Sequence, residues 1–200
     1  MEPELRYREA LSRFESAHRE DPKTYAVGGS QVTWSLLYHE RMGAWIEALA
    51  PDASESLRLA ARCQHIRRWR IPRHEYPMDA AGYKRWRSTL GRFHADEAGR
   101  ILEEVGYPVE TIGRVKALLQ KKGLKTDAEV QVLEDAICLV FLENEFSDFA
   151  SKHDDAKVVD ILRKTWGKMS TKGHETALSL VDRLPSRAQE LIRTALATGT

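Results

Sequence analysis

The chain has 200 residues, with 31 Lys+Arg against 30 Asp+Glu for a net charge of +1, and it is 42% apolar and 30% charged. Those values are ordinary for a water-soluble globular protein, and the length predicts one domain over 1–200 with a substantial core. The longest apolar run, 136–142, is far short of the ~20 residues of a membrane span, the acidic Met-Glu-Pro-Glu start does not resemble a signal peptide, and Cys63 and Cys138 are too few for a disulfide framework or a zinc ribbon.

Taken in chain order, the periodicity predicts helices almost throughout. A first helix is expected over 4–20, ended by Asp21-Pro22, with Gly28-Gly29-Ser30 as the clearest flexible stretch. A second is expected over 32–49, stopping before Pro51. A third, capped by Asp52 or Ser54, is expected to end before Pro72, because proline restricts the residue preceding it. A long fourth helix carries Tyr83, Trp86, Leu90, Phe93, Ile101 and Leu102 at helical spacing, and Gly106-Tyr107-Pro108 breaks it. A fifth is expected over 109–122 with Gly123 as its stop, a sixth over 127–149, and a seventh from Asp154 or Asp155 to about Met169. Gly173 is expected to break the chain there, and Pro185 to open a last short helix. No alternating run is bounded by hairpin signals, so no sheet is expected. The fold class is all-α.

The near-zero net charge hides an asymmetry. Over 62–92 there are nine Lys/Arg against Glu75 and Asp79, a balance of +7; over 127–160 there are ten Asp/Glu against Lys152 and Lys157, a balance of −8. The two segments can pair with each other, or the basic one can face a phosphorylated ligand.

The sixth helix is apolar on nearly every face. Val132, Leu139 and Leu142 form one row, and Val130, Leu133, Ile137 and Phe141 another. Glu134 and Asp135 interrupt it in the middle. A buried carboxylate must be paired or bind a metal, so Asp135 is expected to meet either an arginine or an ion. His65, in line with Leu57 and Ala61 on the third helix, and His94, one turn after Leu90, are both expected to point inward. Two histidines and an aspartate suit a divalent transition metal. Arg68 shares the face of His65, Arg41 lies among apolar residues of the second helix, and Lys121 ends the fifth; such cations suit phosphate. Trp69 and Trp86, interleaved with arginines, raise a nucleic-acid alternative, but core packing is the favoured reading of Trp86, and no standard nucleic-acid motif is present.

The stretches His65-Ile-Arg-Arg-Trp69, Phe93-His-Ala-Asp96 and Leu133-Glu-Asp-Ala-Ile-Cys-Leu139 resemble the HD-domain superfamily of all-α metal-dependent phosphohydrolases, over about 53–149, and more closely an uncharacterised HD-like family of bacteria and fungi. The adjacent His-Asp pair of that superfamily is absent, since Ala95 follows His94; Asp96 is nearer in sequence, but helical geometry favours Glu97 as its replacement. The resemblance implies that His65, His94 and Asp135 hold Mn, Fe, Zn or Co. The metal would activate a water, Glu134 or Glu97 would orient it or shuttle its proton, and Arg41, Arg68 and Lys121 would hold a phosphoester, nucleotide-type substrates included. A cytoplasmic phosphohydrolase with no membrane partner is therefore expected. The alternatives are a non-enzymatic helical binding module, nucleic-acid-associated or not, and an HD-fold di-iron oxygenase.

Overall fold

The computed structural model describes residues 2–197. Among them are ten α-helices and one small sheet. Helix α1 (Pro3–Arg19) starts with proline in its first turn, where the missing N–H costs nothing. Strands β1 (Thr24–Val27) and β2 (Ser30–Thr33) form an antiparallel hairpin, with Tyr25 opposite Val32. This corrects the expectation of no sheet. Gly28 and Gly29 both adopt positive φ, 56° and 81°, so the pair read as flexible is the two-residue turn of a hairpin. Its strands are four residues long and mostly exposed, too short to show alternation.

Helix α2 (Trp34–Leu49) is capped by Thr33, whose hydroxyl accepts from Leu36 N–H, and α3 (Glu55–Cys63) by Ser54, which accepts from Leu57 N–H. Here α3 is shorter than expected. It ends at Cys63, and the chain turns through Arg67, a non-glycine residue at φ 49°, into a 3₁₀ turn (Arg68–Arg70). His65 therefore lies in the turn after the helix. Helix α4 (Ala80–Val105) is capped by Asp79 and closed by Gly106 at φ 86°. Helix α5 (Val109–Leu119) ends before Lys121, another non-glycine residue at positive φ.

Helix α6 (Ala128–Asn144) is the buried central helix, with Leu133, Ala136, Leu139 and Val140 at most 1% exposed. It stops at Glu145, and a separate short helix, α7 (Phe146–Ser151), follows. Three more helices complete the chain: α8 (Asp155–Trp166), α9 (Thr171–Val181) and α10 (Ser186–Leu196). Gly173 sits inside α9 and does not break it, because Ser170 caps that helix just before it.

One hydrophobic cluster runs from Ala10 to Ala195. Within it α2 packs on α3 and α6, and α4 on α5. The turn after α3, the middle of α4, the end of α5 and one face of α6 thereby surround two neighbouring clefts.

Candidate functional site

The site is built on four buried or half-buried imidazoles. His18 Nε2 donates to the Arg62 carbonyl (2.8 Å), and its Nδ1 accepts from the Ser35 hydroxyl (3.0 Å). His39 stacks on His18 with centroids 3.8 Å apart and donates from Nδ1 to the Ser35 carbonyl (2.6 Å). Its Nε2 accepts the backbone N–H of His65 at 3.0 Å, which anchors the turn after α3. His94, on α4, donates from Nδ1 to the Ile66 carbonyl (2.8 Å). A carbonyl only accepts, so each of these rings carries a proton on the nitrogen that faces it, and His39, whose other nitrogen accepts an N–H, is neutral. Burial also drives all four below the ordinary histidine value, His18 to about 4 and His94 to about 3.

His65 and His94 lie with ring centroids 5.6 Å apart, and Tyr38 stacks on His65 at 4.9 Å. His65 Nδ1, His94 Nε2, Gln64 Oε1, one terminal nitrogen of Arg68 and the Tyr38 hydroxyl are buried with no protein partner. Orphaned polar atoms are rare in folded proteins, and five around one place mark where something else binds.

Two clefts meet at that place. The first, about 400 Å³, is lined by Gln64, His65, Arg68, Arg87, Arg92, His94 and Lys121, and no carboxylate is on its wall. The second, about 220 Å³, shares His65, Arg68, Arg87 and Lys121 and adds Tyr38, Glu134, Glu145 and Lys168. Arg68 lies over the Trp86 ring at 4.7 Å, and burial pulls its pKa down to about 10; burial lowers Lys121 too. Lys121 pairs with Glu134 across the second cleft. Burial pushes Glu145 up, against the pull of Lys23, Arg68 and Arg41.

The turn that aims His65 and Arg68 is held from outside. Arg67 bonds both carboxylate oxygens of Glu20 (2.6 and 3.1 Å) and Glu97 (2.7 Å). Left-handed backbone at a non-glycine residue costs roughly 1–2 kcal/mol, and this fork of three bonds offsets it.

The expected site is therefore partly assembled and partly not. His65, His94, Arg68 and Lys121 come together, and Glu134 is beside them. Glu97 is spent on Arg67, and Asp96 is exposed and paired with Lys116, so neither stands in for the missing aspartate. Arg41 lines the adjoining groove under the hairpin with Lys23, Trp34 and Glu145, away from the histidines. Asp135 is turned the other way. Its Oδ1 accepts from Ser170 N–H (2.8 Å) and Gln131 Nε2 (3.1 Å), and its Oδ2 from the Ser170 hydroxyl (2.5 Å). The buried charge is satisfied at the start of α9 rather than by an arginine or an ion. Among the described residues no three His, Cys, Asp or Glu side chains are grouped to hold a metal. The donor set expected for a divalent ion at His65, His94 and Asp135 does not fit.

Sequence reasoning missed His18, His39, Tyr38, Arg87, Glu145 and Lys168. A signal existed for His39, which falls in the row Ser35, His39, Met42, Ile46 and Leu49, all buried. Trp86 is core, as its helical row implies.

Fold and site together define an all-α protein with a carboxylate-free basic cleft around two neutral histidines. The chain belongs to the family described as a domain of unknown function (DUF4202), whose family model matches residues 8–192. No curated protein and no solved structure matches it. No described helix is long and apolar enough to cross a membrane.

Proposed function

We propose that the carboxylate-free cleft binds a phosphoester and hydrolyses it. The observation that carries this reading is the pairing of Arg68, Arg87, Arg92 and Lys121 on one cleft wall with the unpartnered Nε2 of His94. Among the described residues Arg68, Arg87 and Arg92 form no ion pair with an acid, while Lys121 is held by Glu134; three such guanidinium groups on one wall call for an anion. Arginine forks match phosphate oxygens, and the point charge of Lys121 adds to them.

The chemistry follows from the tautomer. His94 donates from Nδ1 to Ile66, so the lone pair of this cleft-lining ring is on Nε2, which is buried and has no protein partner. Burial holds this ring neutral, and Arg68 and Arg87 add to that effect. A bound phosphate dianion offsets those cations and raises the basicity of His94. Nε2 then accepts a proton from a water as its oxygen bonds to phosphorus. The ester oxygen leaves and takes that proton back, giving an alcohol and inorganic phosphate. Arg68 and Arg87 hold the oxygens on which charge accumulates. No step needs an ion.

The test is a panel of phosphomonoesters and phosphodiesters with the purified protein, run beside elemental analysis. Turnover that His94→Ala abolishes and added chelator does not affect supports the reading. Absence of turnover across the panel, with no binding of inorganic phosphate, overturns it.

A further inference from the structure

The basic segment 62–92 holds more charge than one phosphate needs. Arg62, Arg67 and Arg70 reach carboxylates. Arg68, Arg73, Lys84, Arg85, Arg87 and Arg92 do not: among the described residues none of these six forms an ion pair with an acid. Arg73 donates to the carbonyls of Tyr76 and Asp79 and lies over Tyr83 and Trp86. Arg92 donates only to the Ser88 hydroxyl. Lys84 and Arg85 are exposed. Of the acidic segment 127–160, Asp127 and Glu129 are taken by Arg114, Glu134 by Lys121 and Asp135 by Ser170, and Glu145 shares the second cleft with Arg68 and Arg87 without forming an ion pair with them.

Four of these cations, Lys84, Arg85, Arg87 and Arg92, are ordered along one element. On α4, Lys84, Arg87, Ser88 and Gly91 fall within one face, with Arg85 and Arg92 on its flank. Arg87, Ser88, Gly91 and Arg92 line the cleft itself. Lys84 to Arg92 spans ~12 Å of helix, room for a short run of successive phosphates of one strand. A Cβ built on Gly91 meets nothing within 4 Å, so the helix backbone is open to whatever lies in the cleft. At the outer end of the row the ring of Tyr83 is 51% exposed and provides a face on which a base can stack.

We propose that the ligand is the phosphorylated end of a single-stranded nucleic acid, with its terminal phosphate in the cleft and the following phosphates along Lys84, Arg85 and Arg92. This rests on the phosphoester reading of the cleft and names its substrate class.

The experiment measures fluorescence anisotropy of a labelled single strand of about ten nucleotides, carrying a 5′-phosphate, a 3′-phosphate or hydroxyls at both ends. The double variant Lys84→Ala/Arg85→Ala is compared with the unaltered chain and with Lys84→Arg/Arg85→Lys. Both side chains are exposed, so the fold is undisturbed, and neither lines the cleft. The expected result is at least a ~10-fold loss of strand affinity in the alanine variant and a shallower salt dependence, by about one to two in the logarithmic slope. The charge-conserving variant retains binding, and inorganic phosphate binds all three proteins alike. Unchanged strand affinity in the alanine variant, with phosphate binding kept, overturns the nucleic-acid proposal alone. Linear polyphosphate binding as tightly as the strand overturns it too. A strand that depends on Lys84 and Arg85 but gains nothing from a terminal phosphate overturns the cleft reading, and with it the placement of the end.

Discussion

His94 Nδ1 donates to the Ile66 carbonyl over 2.8 Å, one residue beyond His65. That bond ties the middle of α4 to the turn after α3 and sets the tautomer of the ring that faces the cleft. His39 ties the same turn from the other side, through the N–H of His65. Two buried imidazoles thus act as struts for one short stretch of chain, and the stretch carries Arg68 into the cleft.

His94→Ala should lower hydrolysis by at least ~100-fold, the usual contribution of a positioned base. Affinity for inorganic phosphate, measured by calorimetry, should change little, because the arginines and Lys121 remain. A comparable loss in both quantities would make His94 a strut only.

Arg87→Ala should weaken phosphate binding by about 10-fold or more, since a bond to a charged group contributes ~1.5–3 kcal/mol. Arg41→Ala should leave it unchanged, because Arg41 lies in the adjoining groove. Titration of both variants with phosphate separates the two positions.

Asp135→Asn should destabilise the fold without altering phosphate affinity. The carboxylate accepts three hydrogen bonds, two of them from Ser170, and its loss leaves donors at the start of α9 poorly matched. A cost of ~2 kcal/mol corresponds to a Tm lower by about 4–8 °C for a chain of this size. A thermal melt beside a phosphate titration checks both halves.

Gly173→Ala should also lower Tm, because a Cβ there would stand 2.6 Å from Asp135 Oδ1. Backbone freedom is not the reason, since the residue is helical. In the background of Asp135→Ala the same change should cost much less. That coupling, read as a double-mutant cycle, distinguishes a clash from a general loss of helix stability.

Stability should fall as the pH is lowered from ~6.5 towards 4. An unfolded chain protonates His18 and His94 near 6.5, whereas the folded chain does so only near 4 and near 3. Between those values the unfolded state binds more protons, so acid favours it; above 6.5 both states are neutral at these rings and the dependence vanishes. Tm measured from pH 8 to 5 should be flat and then fall, and His18→Asn should make the fall shallower.

The all-α class was legible because apolar spacing and caps are local. Ser54 and Asp127 start helices where the sequence places them, and Gly106 ends α4. The inward face of His94 and the buried Glu134–Asp135 pair were legible for the same reason, whereas His65 and Arg68 were read onto a helix that ends at Cys63, so their place beside His94 was not. What periodicity does not carry is the direction in which a buried charge is satisfied. Asp135 and Glu134 are adjacent on α6, so the helix sends them to different sides, and only the packing of α9 decides that one meets Ser170 and the other Lys121. The end of α3 was equally hidden, because the left-handed turn at Arg67 is held by Glu20 and Glu97, 47 and 30 residues away in the chain. Local sequence fixes which residues are helical and which are buried. Which charges meet is a long-range matter, settled when the helices pack.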